Sequence, residues 1–223
     1  MLPLNNFPVF LRPNDPFPFP YLSDEEGLVA VGGYLSTQRL LDAYRIGLFP
    51  WFEEDGIPFW FSPDPRCVLY PHNLRVSKSM RSLFNHQAFE VTINQCFEKV
   101  IEACAEIPRE GQADTWISET FIEAYTELHY RKYAVSVEVW DKKQNLVGGL
   151  YGVRIGNVFF GESMFSKVSN ASKYGFISFV RQLQDEGVQL IDCQQETPHL
   201  VSLGAVSICR NDFLEEIKHL NLN

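Results

Sequence analysis

Three polar side chains fall where carboxylate and amide chemistry could be done. Glu162, in the run GESMFS (161–166), follows the apolar residues Val158, Phe159 and Phe160 along a strand-like segment, so its carboxylate lies beside a hydrophobic surface. Asp192 and Gln194 flank Cys193 at the end of VQLIDCQ (188–194), a second buried strand. Strict alternation turns both to one face and Cys193 to the other. One carboxylate and one amide then converge, a set suited to orienting a reacting group. Asp192 capping a loop and Glu162 pairing with a lysine stay open as alternatives on the residues alone. Cys193 with His199 offers a thiol nucleophile, but its side chain is predicted to point away from that face and no third group orients the pair, so a buried thiol is the simpler reading. Trp51, Trp60 and Trp116 could stack on a base or fill a core, and alone they decide nothing.

The elements that must position these residues divide into two parts. Residues 1–62 are rich in Pro, Phe and Trp and hold one clear helix, with Ser36 or Thr37 as N-cap, Leu40, Leu41 and Tyr44 on one face and Gly47 as stop. Ser62-Pro63-Asp64-Pro65 cannot continue a helix or a central strand, so the boundary is expected there, giving a small N-terminal domain (1–62) and a larger one (63–223). In the larger part, Phe97, Val100, Ile101 and Cys104 mark a helix, and Phe121, Tyr125 and Leu128 mark another after a Ser118 cap. AVSVEVW (134–140), LVGGLYGV (146–153) and NVFFGESMF (157–165) read as an antiparallel meander. A helix through Phe176, Phe179, Val180 and Leu183 follows, then the strand 188–194 and a last helix capped by Asn211. The class is α+β with a mixed sheet, and the order resembles the acetyltransferase-like (GNAT) fold. A CoA user of that fold carries a Gly-rich pyrophosphate loop before the helix that follows the meander; here the position reads SKVSNASKYG, which points to an acyl donor other than acetyl-CoA.

Composition narrows the classes further. With 45% hydrophobic and 14% aromatic residues among 223, the chain can bury a core, and it contains no run approaching the roughly 20 apolar residues of a membrane helix. The Pro-interrupted N-terminus does not read as a signal peptide, so no membrane and a cytoplasmic location are expected. Five cysteines without a CxxC pair fit reduced thiols, and no zinc-like ligand spacing occurs, so no metal is expected. The net charge of −9 argues against a nucleic-acid partner, yet two windows lack any acidic residue: one holds Arg66, Arg75, Lys78 and Arg81, the other Lys167, Lys173 and Arg181. Ordinary solvated surface is the plainer account of these windows, while the acidic remainder would suit a cationic second ligand.

Several runs, in order, carry a family resemblance: GLVAVGGYLSTQRLLDAYRIGLFPWF (27–52), FWFSPDPRCVLYP (59–71), DTWI (114–117), LVGGLYGV (146–153), GESMFS with NASK (161–173) and LIDCQ (190–194). The chain resembles the bacterial leucyl/phenylalanyl-tRNA–protein transferases. The resemblance implies an enzyme, an aminoacyltransferase, that moves Leu or Phe, also Met, from aminoacyl-tRNA to the N-terminal Arg or Lys of an acceptor protein, forming a peptide bond and an N-degron without a cofactor. It implies Asp192, Gln194 and Glu162 as the catalytic set, and Leu150, Phe159, Phe176 and Ile191 as the pocket for the aminoacyl side chain. It places Trp51 and Trp116 around the terminal adenosine with Tyr44 nearby, assigns Arg75, Lys78 and Arg81 to tRNA contact, and suggests a monomer. Tyr34 after Gly-Gly and Asp114 before Thr-Trp depart from the family's usual residues. A CoA-dependent N-acetyltransferase and a non-catalytic tRNA- or N-degron-binding module are the competing classes.

Overall fold

The structure, a computed structural model, describes residues 8–107 and 117–220. The Pro- and aromatic-rich first part, in which only a helix was expected, forms a four-stranded sheet. Its strands β1 (Val9–Leu11), β2 (Leu28–Gly32), β3 (Phe49–Glu54) and β4 (Ile57–Phe61) lie in the order β1-β2-β4-β3, with β1 parallel to β2 and the other pairs antiparallel. β3 is an edge strand, and Pro50 sits at its register shift, where a residue without an N–H fits. Between β2 and β3 runs α1 (Thr37–Arg45), capped by the Ser36 hydroxyl, which accepts from the Arg39 N–H at 3.3 Å. Leu40, Leu41 and Tyr44 are its buried face. The chain leaves the helix at Gly47 with φ +80°, where an added Cβ would run into the Leu214 side chain.

The second part builds a seven-stranded sheet from β5 (Arg66–Leu69), β6 (Glu90–Ile93), β7 (Ala134–Trp140), β8 (Leu146–Ile155), β9 (Val158–Ser166), β10 (Leu190–Gln194) and β11 (Val206–Ile208), ordered β11-β5-β10-β9-β8-β7-β6. β7, β8 and β9 are the expected antiparallel meander, and β10 lies parallel to β9 but antiparallel to β5, which makes the sheet mixed. Around it run α2 (Lys78–Asn85), α3 (Phe97–Ala105), α4 (Glu119–Tyr130), α5 (Ala171–Asp185), α6 (Pro198–Ser202) and α7 (Arg210–His219). From α3 onward this contains the expected order: helix, helix, three strands, helix, strand, helix. α7 starts two residues earlier than expected, with Cys209 rather than Asn211 at its N-cap. α2 was not expected. It follows a Ser77 cap, and its Met80, Leu83 and Phe84 lie at i, i+3 and i+4 against the rest of the body.

The two sheets divide at residues 62–65, but the apolar core does not. One cluster runs from Leu40, Tyr44, Leu48, Phe49 and Trp60 through Val68, Phe97 and Phe121 to Phe160 and Phe213. Trp60 is fully buried and its indole N–H donates to the Gly32 carbonyl at 2.9 Å, so this tryptophan is core and not a stacking platform. A second cluster packs Phe159, Ile191 and Leu150 under α5. No helix among the described residues is long and apolar enough to cross a membrane.

Candidate active site

The parallel pairing of β10 with β9 runs from Leu190/Val158 to Asp192/Phe160 and stops there, while β9 continues to Ser166 against β8. The two strands therefore part beyond Asp192, and the opening holds a pocket of about 330 Å³. Leu150, Phe159, Phe176 and Ile191 line it, with Met164 and Leu200, and Glu162 and Gln194 stand at its polar side. Two flanking cavities continue the opening. One of about 210 Å³ shares Glu162, Cys193, Gln194 and Leu200 with the pocket. It meets, through Trp51 and Gln195, a cleft of about 770 Å³ walled by Trp51, Phe52, Phe59 and Phe61 and rimmed by Glu25, Glu26, Asp64 and Glu196.

Glu162 is fixed from below by two phenols. Tyr44 donates to its Oε1 at 2.7 Å and Tyr125 to its Oε2 at 3.0 Å, and the two hydroxyl oxygens are 2.5 Å apart. The Gln194 amide nitrogen donates to Oε1 at 3.4 Å. Burial pushes the Glu162 carboxyl up to about 7, against the opposing pull of the Tyr44 and Tyr125 hydroxyls, which favour the ionised form. The same burial, together with the neighbouring Glu162 charge, raises both tyrosines.

Asp192 does not face the pocket with a free carboxylate. Its oxygens accept from Arg66 Nε at 2.8 Å and Nη2 at 2.7 Å, and both side chains have no exposed surface. Strict alternation fails at the end of β10. Asp192 pairs with Val68 and Gln194 with Cys67, so Cys193 is the extra residue of a bulge and Gln194 takes φ +56°. The convergence expected of Asp192 and Gln194 is therefore made by the main chain, with the Gln194 N–H donating to Asp192 Oδ1 at 3.0 Å. The bulge also brings Cys193 to the pocket wall, contrary to the expectation that it points away. The neighbouring Cys67 thiol, together with burial, pushes the Cys193 thiol well up, and Sγ donates to the Ile191 carbonyl at 3.9 Å.

Residues 68–218 match the family model described as leucyl/phenylalanyl-tRNA protein transferase, and residues 33–64 match the one described as the N-terminal domain of that transferase. The chain belongs to this family. A leucyl/phenylalanyl-tRNA–protein transferase of Christiangramia forsetii is 54% identical over 92% of this chain and 98% of its own length, and one of Pseudomonas fluorescens (strain Pf0-1) is 53% identical over 90% and 88%. Among solved structures, a conserved protein of unknown function from Bacteroides thetaiotaomicron aligns with 81% of this chain and 66% of its own at 12% identity, with a TM-score of 0.49.

Within this transferase-family chain, the expected site residues distribute unevenly. Leu150, Phe159, Phe176, Ile191, Glu162, Asp192 and Gln194 gather around one pocket. Trp51 lies between the two flanking cavities, edge-on to Phe61 at 4.9 Å. Tyr44, expected near the adenosine, has no exposed surface and its hydroxyl is engaged by Glu162 and Tyr125. Trp116 lies outside the described residues. Arg75, Lys78 and Arg81 are exposed on and just before α2. Phe84 of α2 stacks on Tyr174 of α5 at 4.0 Å and Arg181 covers Phe84 at 4.7 Å, so Arg181 of the second window lies beside the helix that carries Lys78 and Arg81. Arg66 leaves that window, being buried against Asp192. Two residues of the site, Arg66 and Tyr125, were not anticipated. A tyrosine within the otherwise apolar stripe of α4 was the available signal for Tyr125, since a buried phenol needs a partner; nothing local marks Arg66.

Proposed function

We propose that the chain transfers a leucyl or phenylalanyl residue, also methionyl, from aminoacyl-tRNA to the N-terminal Arg or Lys of an acceptor protein, which creates an N-degron. The observation that carries this reading is an apolar pocket of about 330 Å³ opening onto Glu162 and Gln194, next to a cleft whose rim is acidic. Leu150, Phe159, Phe176 and Ile191 take the aminoacyl side chain. The acceptor approaches along the cleft, where carboxylates and aromatic faces favour a cationic side chain and, among the described residues, no Lys or Arg lines the wall. Arg75, Lys78 and Arg81 take tRNA phosphates, and Trp51 takes the terminal adenosine; Trp116 is assigned there by the family resemblance alone.

The reaction forms one C–N bond and breaks one ester C–O bond, and the proton lost by the amine ends on the departing ribose oxygen. An α-amino group with a pKa of about 7.7–8.0 is partly neutral at cellular pH, so orientation carries much of the rate. Glu162 offsets positive charge on the attacking amine, Gln194 positions the amine or the carbonyl, and Asp192 positions Gln194. An aminoacyl-tRNA donor puts the reaction in the cytoplasm, and a single chain supplies every group named. We also divide the chain into units 1–62 and 63–223, which is where its two sheets separate.

The test is incubation of the protein with labelled Phe-tRNA and a peptide beginning with Arg, beside the same peptide beginning with acetyl-Arg. Label appears only on the free Arg peptide. Acetylation from acetyl-CoA would replace this reading with an N-acetyltransferase, and binding of either substrate without turnover would replace it with a binding module.

A further inference from the structure

We infer that Arg66 is a positioning residue of the transfer reaction: acting through Asp192, it holds the β10 bulge that aims the Gln194 amide at Glu162. The inference rests on the transfer reading and adds a residue that touches none of the reacting atoms.

A buried ion pair is by itself weak grounds for any role, because desolvating both charges offsets most of their attraction. Three features set this one apart from a core brace. Arg66 Nη1 is buried and finds no acceptor among the described residues, so the hydrogen bonds of the fork go to Asp192, through Nε and Nη2. The guanidinium lies in a slot between the Phe49 ring, 4.9 Å away, and the Phe213 ring, 4.5 Å away, which fixes its plane and hence the direction of its fork. At the other end of the pair stands a residue in a costly conformation: Gln194 at φ +56°, in the left-handed region that a long side chain rarely adopts. Such a conformation persists only where its surroundings over-determine it.

The determining contact is Asp192 Oδ1, which accepts from Arg66 Nε and from the Gln194 N–H. With both oxygens gripped by the fork, the carboxylate cannot rotate, and the N–H it accepts fixes the peptide of Gln194. The side chain of Gln194 then projects into the opening, with Nε2 at 3.4 Å from Glu162 Oε1. Arg66 thus links the first sheet through Phe49, and the last helix through Phe213, to the one amide that faces the reacting atoms. A lysine would keep the charge but grip one oxygen only, leaving the carboxylate free to turn.

The test is a double-mutant cycle of Arg66→Lys with Gln194→Ala in the Phe-tRNA to Arg-peptide assay, with kcat and KM separated. Arg66→Lys is expected to lower kcat by about 10- to 100-fold, the scale of a misplacement near 1 Å, and to leave KM for Phe-tRNA within about twofold. In the Gln194→Ala background it is expected to change kcat by no more than about twofold, since both changes remove the same amide. Phe213→Leu, which loosens one wall of the slot while keeping an apolar side chain, gives a smaller loss that is equally absent beside Gln194→Ala, and it serves if the lysine variant does not fold. Losses that multiply in both cycles, or a rise in KM at constant kcat, overturn the inference. A wild-type protein that transfers nothing overturns instead the reading on which it rests.

Discussion

Replacing Glu162 by glutamine should alter how stability depends on pH. The folded protein holds this carboxyl up to about 7, against an ordinary value of 4.5, because burial penalises its charge more than the Tyr44 and Tyr125 hydroxyls relieve it. A raised folded value means that the folded state binds the proton more tightly than the unfolded chain does. The resulting stabilisation is fully present below about pH 4.5 and is lost as the pH rises through about 7. Linkage puts the whole window at about 3 kcal/mol, and the part between about pH 5.5 and about pH 8.5 at about 2 kcal/mol. Solvent reaching the half-buried side chain from the pocket makes these upper figures. Glu162→Gln removes the titration but leaves the shape. Urea unfolding of both proteins at the two pH values should show the wild type losing about 2 kcal/mol relative to the variant on going up in pH, other titrating groups cancelling in the comparison. Two stability curves that stay parallel within about 0.5 kcal/mol would refute the argument that burial governs this carboxyl.

Three further outcomes are expected. Asp192→Ala leaves Arg66 buried without its anion and should cost about 3–5 kcal/mol, whereas the paired change Arg66→Met with Asp192→Leu should recover most of it; calorimetry that finds the single variant as stable as wild type contradicts the buried pair. Changing Arg75, Lys78 and Arg81 to Ala should lower the slope of log binding against log salt for aminoacyl-tRNA by about 2–3, at roughly one phosphate contact each, and spare a minimal aminoacyl-adenosine donor; equal losses for both donors point elsewhere. Leu150→Trp should fill the far wall of the pocket and exclude Phe-tRNA before Leu-tRNA, and a folded variant that loses both donors equally argues against Leu150 as that wall.

What could be read from the residues depended on how local the cause was. α1 was legible because Ser36 and Gly47 bracket an apolar stripe, and the meander β7–β9 because alternation and glycine turns act over a few residues. The strands of the first sheet were not, since prolines at 50 and 58 read as breakers until Pro50 falls at a register shift of an edge strand and Pro58 just beyond the pairing of β4 with β2. α2 is only eight residues long, and its short apolar stripe lies among charged and polar side chains, which leaves a weak local signal. Leu150, Phe159, Phe176 and Ile191, which the family resemblance implied as one group, each lie in a plainly apolar element and line one pocket. Its polar side came through in part. Strict alternation misplaced Cys193, as a bulge is set by pairing with a strand more than 120 residues earlier in the chain. Tyr125 and Arg66 stayed hidden for the same reason: their partners, Glu162 and Asp192, are 37 and 126 residues away.

The continuous core bears on how freely the first sheet can be exchanged. Tyr44 packs on Phe160 and Phe49 on the Arg66 guanidinium across the boundary, and the buried cluster that holds them also takes in Leu48, Trp60, Val68 and Phe213, so residues 1–62 made alone would present an apolar face to water. A chimera that joins this segment to a relative's body therefore has to match at the crevice where Gly47 admits Leu214 and where Phe49 meets the guanidinium of Arg66. Two sheets that look like interchangeable parts share one packed interior, and a change in either has to be accommodated by the other.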